Sequence, residues 1–241
     1  MSTPHPLVSI LIPVFNEEKI LEQTALRLHD YLKKLDIKHE ILVTSNGSTD
    51  KTVSIGKKLD DEYSWFRFFS IPQKSVGKAF ANGVKEAKGE YIISQDADLS
   101  SDIEFILHAV GLLQYCDMVI GSKSFGSQRR TLLRVLGSQV YILITQVWLG
   151  LAMTDFSMGA KAFRRSSVLP AVDYIDNWTG YILEIYLYLR EKGMRVVQIG
   201  VDCKDERKSR FNIFHEGFYR YGHLYRCIQK LKDPKSWYHH V

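Results

Sequence analysis

The chain has 241 residues, 45% hydrophobic and 24% charged, a globular balance with enough apolar material for one sizeable core. No repeat, linker or low-complexity stretch interrupts it, and the short polar start, Met1 to Pro6, reads as no signal peptide. The net charge of +5 is concentrated late: Lys204 to Lys235 carries nine Lys/Arg against four Asp/Glu, which leaves 23 of each elsewhere. A basic segment on a neutral body calls for an anionic partner such as a phosphate, a lipid headgroup or nucleic acid. Cys116, Cys203 and Cys227 have no metal-ligand spacing and cannot all pair, so they read as reduced thiols of a cytoplasmic protein.

Strand and helix patterns alternate through the first half. Val8 to Ile12 is an apolar strand. Asn16 stands where it can cap the next helix, which runs to about Leu35, with Glu17 and Glu18 at its positive end. Glu40 to Thr44 is a second strand, and Ser48-Thr49-Asp50 opens a second helix. Trp65 to Ile71 is a third strand, closed by Pro72. Lys78 to Lys88 is helical, with Gly89 as its stop. Tyr91 to Ile93 is a buried strand, Ile103 to Gln114 a helix and Met118 to Ile120 a strand. The alternation predicts an α/β fold: a mostly parallel sheet with helices on both faces.

The second half differs. Thr131 to Leu149 reads as a helix with a wide apolar surface and a polar stripe of Arg134, Ser138, Gln139, Thr145 and Gln146. It is too short and interrupted to span a bilayer, so it is either a core helix or one lying in a membrane interface. Leu183 to Lys192 is a helix stopped by Gly193, and Val196 to Val201 a strand. A basic loop follows, then an aromatic helix from about Gly217 to Leu231. There Phe218, Tyr221, Tyr225, Ile228 and Leu231 recur at spacings of three and four, among Arg220, Arg226 and Lys230, a pattern suited to a headgroup layer.

Chemistry concentrates after the fourth strand, where Asp96 and Asp98 stand one residue apart. The carboxyl ends of strands in an open α/β sheet face the ligand crevice. Strand geometry predicts that both carboxylates point the same way. Two hard oxygen ligands suit Mg²⁺ or Mn²⁺, ions that keep water and bind substrate phosphates. Asn46-Gly47-Ser48-Thr49-Asp50 follows the second strand, and its backbone N–H groups can hold an anion or the edge of a base. Lys74-Ser75-Val76-Gly77-Lys78 is not a phosphate loop, because Pro72 and Ala79 replace its first glycine and its Ser/Thr.

Taken together, these pieces resemble family 2 glycosyltransferases of the GT-A fold. The opening is Val8-Ser9-Ile10-Leu11-Ile12-Pro13-Val14-Phe15-Asn16-Glu17-Glu18. Asn46 to Asp50 matches the nucleotide-binding turn, and Gly77-Lys78-Ala79, Asn82-Gly83, Gly89-Glu90-Tyr91 and Asp96-Ala97-Asp98-Leu99 match the central block in order. Gly121-Ser122-Lys123, Asp155 to Arg165, Gly180-Tyr181 with Glu184, and Arg207-Lys208-Ser209-Arg210 make the chain most similar to polyprenyl-phosphate (dolichyl-phosphate) mannosyl- and glucosyltransferases.

The resemblance implies one domain over residues 1–241, with a nucleotide-sugar half (1–122) and an acceptor- and membrane-facing half (123–241). It implies donor contacts from Pro13, Phe15, Asn16, Glu17, Asn46, Ser48, Lys78, Asp96, Ala97 and Asp98, and a metal on Asp96 and Asp98. It implies acceptor-phosphate contacts from Lys123, Arg130, Lys161, Ser209 and Arg210, with Arg207 and Arg210 assisting the transfer. The expected activity is inverting transfer of a hexose from a UDP- or GDP-sugar to a polyprenyl monophosphate, at the cytoplasmic face of a membrane and without nucleic acid. Two departures stand out: Ser45 and Asn46 occupy places where the family usually has two aspartates, and Lys161 replaces an arginine common in mannosyl enzymes. An in-class rival transfers to a sugar hydroxyl with Glu184 as base. Rivals of other classes are a nucleotidyltransferase, whose glycine-rich signature is absent after the first strand, and a non-catalytic nucleotide-sugar-binding protein.

Overall fold

In a computed structural model the described residues are 7–123, 132–150, 153, 155, 156, 158–203 and 213–232. The strands are β1 (Val8–Val14), β2 (His39–Asn46), β3 (Phe66–Ile71), β4 (Tyr91–Ser94), β5 (Met118–Ser122), β6 (Lys161–Arg164) and β7 (Val196–Gly200). The helices are α1 (Leu21–Lys34), α2 (Thr52–Glu62), α3 (Val76–Glu86), α4 (Phe105–Leu112), α5 (Leu132–Leu149), α6 (Arg165–Val168), α7 (Tyr181–Glu191) and α8 (Ile213–Lys232). The strands form one seven-stranded sheet in the order β3-β2-β1-β4-β6-β5-β7. β1 pairs in parallel with β2 and β4, β2 with β3, and β5 with β7, while β6 runs against both β4 and β5. The carboxyl ends of β1 to β4 therefore share one edge.

The period of two along β1 divides two cores. Val8, Ile10, Ile12 and Val14 pack with Leu21 and Leu28 of α1, Leu59 of α2 and Phe105 of α4. Leu11 faces the other way, with Phe80 of α3, Leu183 and Leu187 of α7 and Leu224 of α8. Each such side chain contributes roughly 1.5–3 kcal/mol when fully buried. The sheet is thus anchored on both faces, and its loop edge is left to ligands.

Four local expectations change. β6 had no sequence signal: four residues opening on a lysine are too short to show a period, yet Ala162 and Phe163 plug opposite cores. Asn16 does not cap α1. It adopts φ 55°, and its Oδ1 accepts from the Thr49 N–H at 2.7 Å, across to the turn after β2. Gly89 does not stop α3, which ends at Glu86. It lies so close to β1 that a Cβ would meet the Ser9 backbone nitrogen at 2.6 Å. In the described part of α5, Thr145 leaves the expected polar stripe and the apolar residues divide, with Ile144 and Leu149 packed inward. Thr145 is buried with its hydroxyl donated to the Tyr141 carbonyl, whereas Val140, Leu143, Val147 and Trp148 are exposed.

Along α8, His223, Leu224 and Cys227 face inward and Tyr221 and Tyr225 face outward. Ile228 and Leu231 pack on the second core rather than joining an outer aromatic face. Lys230 is also taken inward, donating to Glu184 at 2.9 Å. The side chain of Phe218 lies outside the described residues. No helix among the described residues is long and apolar enough to cross a membrane.

Candidate active site

The acid turn lies just past β4. The strand ends at Ser94, so Asp96 and Asp98 sit in a turn rather than alternating along a strand. Three contacts fix that turn. The Gln95 N–H donates to the Leu11 carbonyl at 2.9 Å, continuing the β1 ladder. The Ala97 carbonyl accepts from the Thr24 hydroxyl of α1 at 2.6 Å. Asp98 accepts from the Ser100 N–H at 3.0 Å. Thr24 was not foreseen, because its only sequence signal is a polar residue on the inward face of α1.

Asp96 is aimed by the second half of the chain. Its Oδ2 accepts from the Gly159 N–H at 3.0 Å, and a Cβ on Gly159 would stand 2.4 Å from the Asp96 Cγ. Only a glycine lets that backbone approach the carboxylate. Burial, and then the charge of Asp98, raise the Asp96 carboxyl above its usual range, against the pull of Gly159, Lys161 and Lys123. Two hard, mutually repelling oxygen donors at a loop edge fit a divalent cation, whose charge would reverse that penalty.

Lys161 and Lys123 are buried close behind Asp96. Lys161 is fully buried, and its Nζ donates to the carbonyls of Met158 at 2.7 Å, Gly121 at 3.3 Å and Ala160 at 3.4 Å. Burial pulls its pKa down to about 8, with Asp155 opposing. Three charge-assisted bonds, at roughly 1.5–3 kcal/mol each, are of the same order as the several kcal/mol that desolvating an ion costs. Lys123 is buried with its Nζ 3.6 Å from Asp155, whose other oxygen accepts from the Met158 N–H at 3.2 Å. Both lysines thus brace the 158–160 turn that aims Asp96.

On the other side, the turns after β1 and β2 are stapled together. The Asn16 N–H donates to Ser48 Oγ at 3.0 Å, and the Glu17 N–H to Thr52 Oγ1 at 2.8 Å. The Lys51 N–H donates to Glu18 at 3.0 Å and the Thr52 N–H to Asp50 at 3.0 Å. Within the 46–50 turn, the Gly47 N–H donates to the Ile71 carbonyl and the Thr49 and Asp50 N–H groups to Asn16 Oδ1. Asn46, buried at the end of β2, donates its amide to the Val14 carbonyl at 2.8 Å. Gly47 follows at φ 75°. Pro13 and Phe15 are half-buried beside this turn, Ala97 is buried, and Lys78 is exposed in the first turn of α3. Arg130, Arg207, Ser209 and Arg210 lie outside the described residues, as does Arg129. The chain just before the late basic loop does meet the acid turn: Ser101 and Cys203 form an antiparallel bridge, and the Asp102 N–H donates to the Asp202 carbonyl at 3.1 Å.

Glu184, the rival base, is buried in α7. Its Oε2 accepts a short hydrogen bond from the Asp176 N–H. Its Oε1 takes Lys230 at 2.9 Å and His223 at 3.5 Å. Burial raises its pKa, but His223 and Lys230 outweigh that and leave it below the usual carboxyl value. Asp176 in turn accepts from the Trp178 N–H at 2.7 Å and from the Tyr219 hydroxyl. Cys227 also adjoins His223, with Sγ 3.8 Å from Nδ1 and 3.7 Å from Nε2. Glu184, His223 and Cys227 thus bring a carboxylate oxygen, a ring nitrogen and a thiol within 4.8 Å of one another, a spacing that could hold a metal ion, while Lys230 also occupies the carboxylate.

Residues 9–169 match the model of glycosyl transferase family 2. The chain is 29% identical over 169 residues to the undecaprenyl-phosphate 4-deoxy-4-formamido-L-arabinose transferase of Pseudomonas fluorescens, covering 68% of this chain and 49% of that protein. It spans about half the length of such Pseudomonas relatives. It is 26% identical over 229 residues to a dolichyl-phosphate beta-glucosyltransferase of Trichomonas vaginalis, covering 87% of this chain and 69% of that one. In fold it is similar to mannosyl-3-phosphoglycerate synthase from Rubrobacter xylanophilus, with TM-score 0.72 at 14% identity over 94% of this chain and 75% of the other. Glucosyl-3-phosphoglycerate synthase from Mycobacterium tuberculosis, solved with Mn²⁺, UDP and phosphoglyceric acid, gives TM-score 0.67 at 15% identity over 92% and 78%. The α/β architecture agrees with the GT-A expectation, and by the match over most of its length the chain belongs to glycosyl transferase family 2.

Proposed function

We propose that this chain transfers one hexose from a UDP- or GDP-hexose to a polyprenyl (dolichyl-type) monophosphate, with inversion at the anomeric carbon. The observation that carries the choice of acceptor is the burial of Glu184 with both of its oxygens engaged by Asp176, Lys230 and His223. A sugar hydroxyl would need a base to take its proton. A phosphate monoester, with a second pKa near 6, is already largely dianionic at neutral pH. Its oxygen forms the new bond to the anomeric carbon as the bond from that carbon to the diphosphate breaks. Relatives named as undecaprenyl- and dolichyl-phosphate transferases support the same acceptor class.

Asp96 and Asp98 would hold Mg²⁺ or Mn²⁺, which when bound supplies charge neutralisation for the departing diphosphate. Gly159, Lys161 and Lys123 keep the Asp96 carboxylate on that side of the turn. Asn46 and the half-buried Phe15 serve the base, Asn16, Glu17 and Ser48 brace its turn, and Lys78 is exposed toward the phosphates. Arg207, Ser209 and Arg210 follow Cys203, which bridges to Ser101, so they are assigned to the two phosphates, and Arg130 to the acceptor. The chain acts as one domain, with donor contacts before residue 122 and acceptor contacts after it. The exposed Val140, Leu143, Val147, Trp148, Tyr221 and Tyr225 lie on α5 and α8, which meet through the Tyr141 and Tyr221 rings 6.0 Å apart. With Arg220 and Arg226 beside them, they form the surface that rests on the cytoplasmic leaflet.

The test is a donor screen with Mn²⁺ or Mg²⁺: UDP-glucose, GDP-mannose and related sugars against a short polyprenyl phosphate and its free alcohol. Transfer to the phosphate and not to the alcohol is expected. Efficient transfer to a sugar hydroxyl, abolished by Glu184→Gln, would establish the rival.

A further inference from the structure

The wall made by α7 and α8 encloses a second set of metal-ligating groups, different in chemistry from the acid turn. Glu184 lies in the first turn of α7, and His223 and Cys227 stand one turn apart on α8. That spacing puts both α8 side chains on one face. All three residues are buried. A carboxylate oxygen, a ring nitrogen and the sulfur lie within 4.8 Å of one another.

Their separations suit ligands of one ion better than hydrogen-bonded partners. His223 Nε2 is 3.5 Å from Glu184 Oε1 and 3.7 Å from Cys227 Sγ. N–H···O hydrogen bonds are shorter, about 2.7–3.2 Å. In a tetrahedral Zn²⁺ site, with Zn–S about 2.3 Å and Zn–N and Zn–O about 2.0–2.2 Å, neighbouring ligand atoms stand roughly 3.3–3.6 Å apart. The surroundings are shaped for these groups. A Cβ on Gly180 would stand 2.5 Å from His223 Nε2, so a glycine there makes room for the imidazole. The Asp176 N–H holds Glu184 Oε2 and leaves Oε1 on the His223 side, the kind of outer support that orients a ligand.

We infer that Glu184, His223 and Cys227 form a structural Zn²⁺ site that joins α7 to α8. Thiolate and imidazole select Zn²⁺ over the hard cations that suit Asp96 and Asp98. Lys230 competes for the same oxygen, with Nζ 2.9 Å from Oε1, but its side chain is 23% exposed and can withdraw to solvent. Binding releases the Lys230 ammonium from the carboxylate and the thiol proton to water, and one dication balances the carboxylate and thiolate left behind. Sγ is almost as near to Nδ1, at 3.8 Å, so the thiolate turns about χ1 to reach the Nε2 side. The space that Lys230 leaves beside Oε1 admits a water as fourth ligand.

The experiment is titration of the full chain with Co²⁺ as a spectroscopic probe, after stripping with EDTA, in reducing buffer with excess Mg²⁺ to occupy Asp96 and Asp98. One equivalent should produce a near-ultraviolet sulfur-to-cobalt charge-transfer band, which Zn²⁺ removes. Cys227→Ser should abolish the band, whereas Cys116→Ser, Cys203→Ser and Asp98→Asn should keep it. Lys230→Met removes the competing ammonium, keeps all three ligands and should tighten Co²⁺ binding about tenfold, which reads the site even where Cys227→Ser does not fold. A wild type without the band would overturn the site. So would a band that survives in Cys227→Ser or vanishes in Asp98→Asn, or an unchanged Co²⁺ affinity in Lys230→Met.

Discussion

The turns after β1, β2 and β4 and the wall made by α7 and α8 use polar side chains in opposite ways. In the turns, Asn16, Glu18, Ser48 and Asp50 satisfy backbone N–H groups, and carboxylates and ring faces stay at the surface of the edge. In the wall, Glu184, His223 and Lys230 satisfy one another under a helix, and Glu184 and His223 are sealed from solvent. The same residue types thus staple turns together in one place and make a buried brace in the other. What separates them is whether the side chain meets backbone N–H groups alone or also the charged side chains of a second helix.

The largest expected effect tests the ligand edge. Asp98→Asn exchanges a carboxylate for a poor cation ligand and should lower kcat by about a thousandfold or more, with an unchanged circular dichroism spectrum. Near-normal transfer by the folded variant would end the assignment of Asp98 to a metal.

Next comes Gly159→Ala, which acts through Asp96 without touching its chemistry. The added methyl must displace a carboxylate only 2.4 Å away, and a shift of about 1 Å at a reacting site costs about a hundredfold. Weaker Mn²⁺ binding should accompany the loss. Gly111→Ala, with nothing within 4 Å of the new methyl, is the silent control. Equal behaviour of the two variants would show that Gly159 does not aim Asp96.

Alanine at both Arg207 and Arg210 should reduce kcat/KM by at least about tenfold and leave the melting temperature unchanged, as two charge-assisted contacts to phosphate are lost. If the double variant instead unfolds early with normal kinetics per folded molecule, the loop belongs with the wall and not with the edge.

Glu184→Gln probes the wall and should cost about 3 kcal/mol at neutral pH, since it strands partners of a buried carboxylate. The folded pKa lies below the ordinary 4.5, so the stabilisation is full above that value and is lost as pH falls through the folded one. Urea midpoints of the wild type and the variant should therefore converge in acid. Transfer per folded molecule should survive, with the acidic limb of its pH profile, where a carboxylate base would titrate, unmoved. A dead but stable variant would make Glu184 the base.

The smallest effect concerns the outer face. Co-sedimentation with anionic vesicles should be substantial at low salt and fall as salt rises, and Arg220→Gln with Arg226→Gln should reduce it several-fold. Lys230 is left intact because it holds Glu184. An active protein that binds no vesicle at any salt would leave the exposed α5 residues without a lipid role.

The sequence by itself determined the alternation of strands and helices from β1 to β5 and the parallel character of the first half. These depend on short-range periods and on turns whose residues lie close together, such as Asn46 to Asp50. Only the tertiary structure decided what Lys161, Lys123, Glu184 and Lys230 do. A charged residue in a helix or strand reads the same whether it meets solvent, substrate or another side chain. Here Lys161 found three carbonyls across β5 and β6, and Glu184 found α8, dozens of residues away. Likewise, the wide apolar surface of α5 was visible as composition, but which side of it stays exposed was set by the docking of Thr145 and Leu149 against the body. Burial is a property of the assembled surface, and no local period encodes it.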